Sequence, residues 1–212
     1  MKKRSSTWIF IALVISIPLL AYTGYHMMER RFMRLPVFGR EEIVDGRKVA
    51  HKIEDFVLID QNGNEYNSEE WKNRVVVADF FFTSCGTICP KMTASLKKVQ
   101  EAFDGDEVLI NSFTVDPERD NPERLSWYAS RFNIRGENWK LLTGEKRDIY
   151  RMARNSFMVV ATDGDGGPDD FIHSEKLVLI DKQGRIRGYY DGTENSDVKK
   201  LIADIKKLNN EK

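Results

Sequence analysis

Apolar and polar positions along the chain alternate between two periods, and the change of period marks the elements. Val75 to Phe82 is a continuous apolar run broken only by Asp79, the pattern of a strand buried on both faces of a sheet. From Pro90 to Phe103 the apolar residues Met92, Leu96, Val99 and Phe103 fall at helical spacing, with proline in the first turn, where it is tolerated. Between them lies Thr83-Ser84-Cys85-Gly86-Thr87-Ile88-Cys89, a strand-to-helix turn.

The same reading carries through the rest. Asp55 to Asp60 and Glu65-Tyr66 form a strand pair across the Asn62-Gly63 turn. Glu107 to Val115 is a second buried strand, and Asn121-Pro122 caps a helix whose apolar positions are Leu125, Trp127, Tyr128 and Phe132. Trp139 to Leu142 predicts a strand, Glu145 to Ala153 a short helix, and Leu177 to Ile180 with Arg185 to Tyr190 a hairpin. Ser196 to Leu208 predicts the last helix. Strands alternating with helices around a parallel centre, closed by an antiparallel hairpin, predict an α/β thioredoxin-like fold with a central mixed sheet flanked by helices.

The N-terminus follows another pattern. Lys2, Lys3 and Arg4 precede Trp8 to Tyr25, an uncharged stretch of 18 residues, at the short end of what spans a bilayer. No clear small-residue cleavage site follows, so the reading is an uncleaved anchor, residues 1–28, rather than a removed signal peptide. Residues 29–52 read as a tether and 53–212 as the functional domain. The basic end would stay in the cytoplasm and the domain on the extracytoplasmic side, although Arg30, Arg31 and Arg34 on the other flank weaken the asymmetry. Disulfides are permitted there.

Charge narrows the function. Lys plus Arg number 33 and Asp plus Glu 33, which argues against a nucleic-acid-binding surface. Asp163-Gly164-Asp165-Gly166 invites a calcium reading but lacks a bidentate Glu at the EF-hand spacing. Asp116 and Asp120 read as loop and cap residues, with a supporting role near the cysteines open to them.

The chemistry concentrates on the only two cysteines. Both sit at a helix N-terminus, where unpaired N–H groups favour thiolate, so both are expected to be more acidic than a free cysteine. At this spacing they can close a disulfide or clamp one soft metal ion; the bland reading is two small buried hydrophobes. Of three histidines, His26 lies just past the uncharged membrane segment and His51 in the tether, which leaves His173 for the core. His173 precedes a strand expected to neighbour the cysteine strand, and two thiolates with one imidazole suit copper as Cu(I) or Cu(II).

Phe82-Thr83-Ser84-Cys85-Gly86-Thr87-Ile88-Cys89-Pro90, the loop Val115-Asp116-Pro117-Glu118-Arg119-Asp120, His173-Ser174 before Leu179-Ile180-Asp181, and the N-terminal anchor together resemble the SCO/SenC proteins, copper-binding assembly factors for cytochrome c oxidase. The resemblance covers Ile53 to Leu208. It implies copper ligands at Cys85, Cys89 and His173, and a metallochaperone that passes copper to the dinuclear centre of the oxidase's copper-bearing subunit. It also implies exchange with other copper chaperones or thiol oxidoreductases. Many members carry Pro-Asp where this chain has Gly86-Thr87. The competing expectation is an enzyme, a thiol-disulfide reductase that keeps the oxidase's copper-site cysteines reduced, with Cys85 attacking and Cys89 resolving.

Overall fold

The computed structural model describes residues 3–32, 34–44, 46–103, 107–160 and 174–211. Contacts divide the chain into two units, Met1–Arg34 and Leu35–Lys212.

The first unit is helix α1, Lys3–Phe32, which runs through Pro18. Its large apolar side chains are exposed, Trp8 at 70% and Leu20 at 69% among them. The Thr23 hydroxyl turns back onto the carbonyl of Leu19 at 2.9 Å, which satisfies it within the helix. Among the described residues no helix is long and apolar enough to cross a membrane.

In the second unit the chain forms β1 (Glu42–Val44), β2 (Arg47–Val49), β3 (Val57–Asp60), β4 (Glu65–Asn67), β5 (Val76–Phe81), α2 (Ile88–Glu101), β6 (Leu109–Thr114), α3 (Pro122–Arg131), β7 (Trp139–Thr143), α4 (Lys146–Arg151), β8 (Lys176–Ile180), β9 (Ile186–Asp191) and α5 (Asn195–Asn210). β1 and β2 make a separate hairpin. The other strands form one sheet in the order β4-β3-β7-β6-β5-β8-β9. Its centre, β7-β6-β5, is parallel, while β3 and β8 join it antiparallel. This is the expected mixed sheet, with a helix layer on each face.

Strand alternation assigns the faces. Val75, Val77 and Phe81 meet α2, α3 and α5 through Met92, Leu96, Tyr128, Leu201 and Ile205. Val76, Ala78 and Phe80 point the other way, toward Phe113, Ile149, Tyr150 and Phe157. Every residue of β5 is buried, which is why its sequence is continuous rather than alternating. Each large apolar side chain so buried contributes about 1.5–3 kcal/mol. α4 is shorter than expected and passes into a π-helical turn, Met152–Ser156.

Of the stretch read as a tether, residues 29–32 continue α1, while the part from Leu35 on is docked onto the domain. Phe38 N–H donates to the Ile186 carbonyl at 2.8 Å. The buried Arg187 guanidinium donates to the carbonyls of Leu35 at 2.7 Å and Pro36 at 3.1 Å, and also binds Asp181 and Glu211. His51 is buried, with Nε2 2.7 Å from the Ser156 carbonyl, so this histidine does belong to the core. Gly39, at φ +124°, makes that possible, since a Cβ there would lie 2.3 Å from the His51 Cβ.

Candidate functional site

β5 ends at the expected strand-to-helix turn, and the turn is held from three sides. Asp120, which is 1% exposed, accepts from the Thr83 N–H at 2.9 Å, from the Thr83 hydroxyl, and from the Thr114 hydroxyl at 2.6 Å. Arg124 Nε donates to Thr83 Oγ1 at 3.1 Å. On the helix side, Thr93 Oγ1 donates to the Cys89 carbonyl at 2.9 Å and itself lies 2.9 Å from the Tyr128 hydroxyl. Asp120 is thus more than a loop residue: it bonds the β6–α3 connection to the turn that carries Cys85.

The two thiols meet at the start of α2 but in unlike settings. Thr87, at the cap position, makes no side-chain cap bond. The Cys89 N–H donates instead to Cys85 Sγ at 3.4 Å, so sulfur caps the helix. Cys85 is half-buried, and that burial opposes ionisation. The N–H groups of Cys89, Thr87 and Ile88 outweigh it and bring its pKa below the ordinary thiol value.

Cys89 is 5% exposed, and burial pushes it up to about 12, against an opposing hydrogen bond from the Phe82 backbone and reinforced by Cys85 and Asp79. The expectation that both cysteines are acidic therefore holds for Cys85 alone. The helix terminus acts on both, but at Cys89 desolvation is the larger effect.

Below the turn on β5, Asp79 is 2% exposed and accepts from Ser112 Oγ, which in turn accepts from Trp139 Nε1 at 3.1 Å. Burial raises the Asp79 carboxyl to about 7. Asp116, at the start of the loop, is also raised, by burial and then by the Asp120 charge. Thr83 supports the site without any signal in the hydrophobic pattern, Tyr128 read there only as an apolar helix position, and Asp79 stood out as the single charge within an apolar run.

His173 lies outside the described residues, as does the stretch 161–172 with its acidic glycine-rich segment. The chain that follows is described. β8 neighbours β5, as expected, and pairs with it antiparallel, with Ala78 opposite Val178. The approach to Lys176 therefore enters at the end of the sheet where β5 gives way to Cys85. Gly192 N–H donates to the Glu175 carbonyl at 2.8 Å, and a Cβ on Gly192 would lie 3.0 Å from Met92 of α2, which places Glu175 close to the cysteine helix. Among the described residues no three His, Cys, Asp or Glu side chains form a metal-holding group.

With this geometry in view, the known proteins it matches are informative. The SCO1/SenC family pattern matches residues 44–210. The chain belongs to the SCO1/SenC family. It is 34% identical over 178 residues to the SCO1 protein homolog of Bacillus subtilis strain 168, covering 82% of this chain and 91% of that protein.

Two solved SCO structures resemble it closely. One, BsSco, is described as having a disulfide switch and as a member of the Sco family of cytochrome c oxidase assembly proteins. It is 34% identical with a TM-score of 0.66, covering 76% of this chain and 95% of its own. The other, Bradyrhizobium japonicum ScoI with copper bound, is 26% identical with a TM-score of 0.60, covering 75% of this chain and 99% of its own. Within the family's Cys-x-x-x-Cys turn, a Cβ on Gly86 would meet nothing within 4 Å, so the side chain at this position is set by neither packing nor backbone need.

Proposed function

We propose that this chain is a membrane-anchored SCO protein that binds copper through Cys85, Cys89 and His173 and delivers it to the dinuclear copper centre of cytochrome c oxidase. The observation that carries this reading is the convergence of two thiols on one turn, one accessible and one buried. Two sulfur donors suit Cu(I), and an imidazole extends the set to Cu(II). The register of β8 on β5 supports His173 as the third donor, because the chain entering β8 comes in beside the cysteine turn. Copper reported in ScoI is consistent with the same donors.

Cys85, the half-exposed thiol, is the end at which a client's ligand replaces one of the protein's own. Oxidation of both thiols to a Cys85–Cys89 disulfide gives two electrons and two protons to an acceptor, such as a client disulfide, and removes both thiolates as donors. The anchor rests on the sequence alone, on the uncharged stretch Trp8 to Tyr25 behind Lys2 to Arg4, which would lie on the cytoplasmic side.

The unequal acidities favour a second reading, thiol-disulfide reduction of the oxidase's copper-site cysteines, with Cys85 attacking and Cys89 resolving. Copper titration of the reduced full chain in detergent, beside His173→Ala, separates the two. The copper reading expects about one tightly bound equivalent with thiolate-to-Cu(II) charge transfer, both lost in the variant. Absence of tight binding in the wild type, with disulfide exchange intact, leaves the reductase.

A further inference from the structure

Helix α3 carries a stripe of which the cysteine site uses only one residue, Arg124, as the donor to Thr83. Arg124, Trp127 and Arg131 recur at i, i+3 and i+7, so they share one face of the helix over roughly 10 Å at 1.5 Å per residue. All three are exposed, Trp127 at 42%, although the sequence pattern placed this tryptophan with the apolar positions of the helix. The Arg124 guanidinium lies 4.2 Å from the centre of the Trp127 ring and that of Arg131 lies 5.3 Å from it. The indole thus sits on the surface with two cations against it.

The stripe begins at the thiol turn. Arg124 is the residue that donates to Thr83, two positions before Cys85. Ile88, between the two cysteines, is an apolar side chain that is 41% exposed.

Among the described residues Arg124 and Arg131 enter no ion pair, whereas Arg119, Arg151, Arg185 and Arg187 all do. The only acid of α3, Glu123, pairs with neither. Tryptophan and arginine are the residues that dominate binding hot spots, and a cation held on an indole face gains strength when water leaves. Covering this stripe is favourable only if the partner brings negative charge, because a buried guanidinium without a carboxylate is costly.

We propose that the Arg124-Trp127-Arg131 face of α3 is the docking surface for the protein whose sulfur atoms exchange with Cys85, and that this partner presents carboxylates to it. The proposal rests on Cys85 as the reactive end of the site and does not depend on copper.

Two peptides test it, each carrying one cysteine as a mixed disulfide with 2-thiopyridine, one flanked by Asp and Glu and the other by Lys and Arg. Cys85 thiolate attacks the peptide sulfur, the probe's S–S bond breaks and pyridine-2-thione leaves. Cys89 then displaces the peptide thiol and closes the Cys85–Cys89 disulfide, so two protein thiols are oxidised and the probe is reduced to two thiols. The reduced full chain in detergent should react about tenfold faster with the acidic peptide at low ionic strength, and the gap should close as salt rises.

Arg131→Gln and Trp127→Ala should each cut that preference at least about threefold while the rate with neutral dithiodipyridine stays unchanged. Arg131 is chosen because it has no bond to Thr83, unlike Arg124. Equal wild-type rates for the two peptides, or a preference that both variants keep, overturns the proposal. Copper titration of the same preparation keeps the two readings apart, since a wild type that binds no copper defeats the copper assignment and leaves the peptide comparison intact.

Discussion

Asp120 holds Thr83 by both its backbone and its side chain, one carboxylate oxygen taking the N–H at 2.9 Å and the other the hydroxyl. Because Thr114 donates to the same carboxylate, β6, its loop and the cysteine turn are tied through one residue. Asp120→Ala leaves three buried donors without their acceptor and should cost about 2–4 kcal/mol of stability, with Asp120→Asn costing less because one oxygen remains. Urea unfolding followed by tryptophan fluorescence measures this, and an unchanged midpoint in the alanine variant would contradict it.

The unlike settings of the two thiols predict an order of reaction. Cys85 is the more readily ionised thiol, its pKa held below the ordinary value by the N–H groups around it, whereas burial pushes Cys89 up to about 12. Iodoacetamide should label Cys85 at least about tenfold faster. Cys89→Ser should keep the fast phase and Cys85→Ser should abolish it. Peptide mapping that finds both labelled at one rate would refute the assignment.

Asp79 predicts a pH dependence of stability. Its folded pKa, about 7, is raised above the unfolded value, so the unfolded chain ionises first and binds fewer protons between the two. Stability should therefore fall as pH rises from about 4 to about 7, by up to about 4 kcal/mol, and then level off. Asp79→Asn should remove this component. Unfolding midpoints across that range give the slope, and identical slopes in both proteins would exclude Asp79 as its source.

Arg187→Met should free the segment at Leu35 and Pro36 and leave Glu211 without its partner, at a cost of about 3–5 kcal/mol. Limited trypsin digestion should then cut at Arg40 well before the rest of the domain. Cleavage there at the wild-type rate would show that the docking does not depend on this side chain.

The periodic parts of the fold were legible because burial writes itself into the sequence. Val75 to Phe82 is apolar because β5 is covered on both faces, and Asn121 announces α3 because its side chain accepts the Arg124 N–H. Leu35 to Lys52 was not legible. It has no apolar period, and its anchors, Arg187 and the Ser156 carbonyl, lie more than a hundred residues away.

The site divides in the same manner. The spacing of Cys85 and Cys89 placed them on one turn, but depth within the turn is a tertiary property, and depth sets Cys89 apart. Trp127 fits the helical period and still faces outward, because Leu125 and Tyr128 already fill the side of α3 against the sheet.

The clamp at Arg187 also bears on the order in which the domain is made. In a chain synthesised from its N-terminus Leu35 and Pro36 precede the rest of the domain, yet their partner belongs to β9, and that partner's own carboxylate, Glu211, follows α5. The earliest residues of the domain must therefore wait for the latest ones before they are fixed. Closure of the fold waits on β9, and a nascent domain truncated before β9 would carry a dangling leading edge.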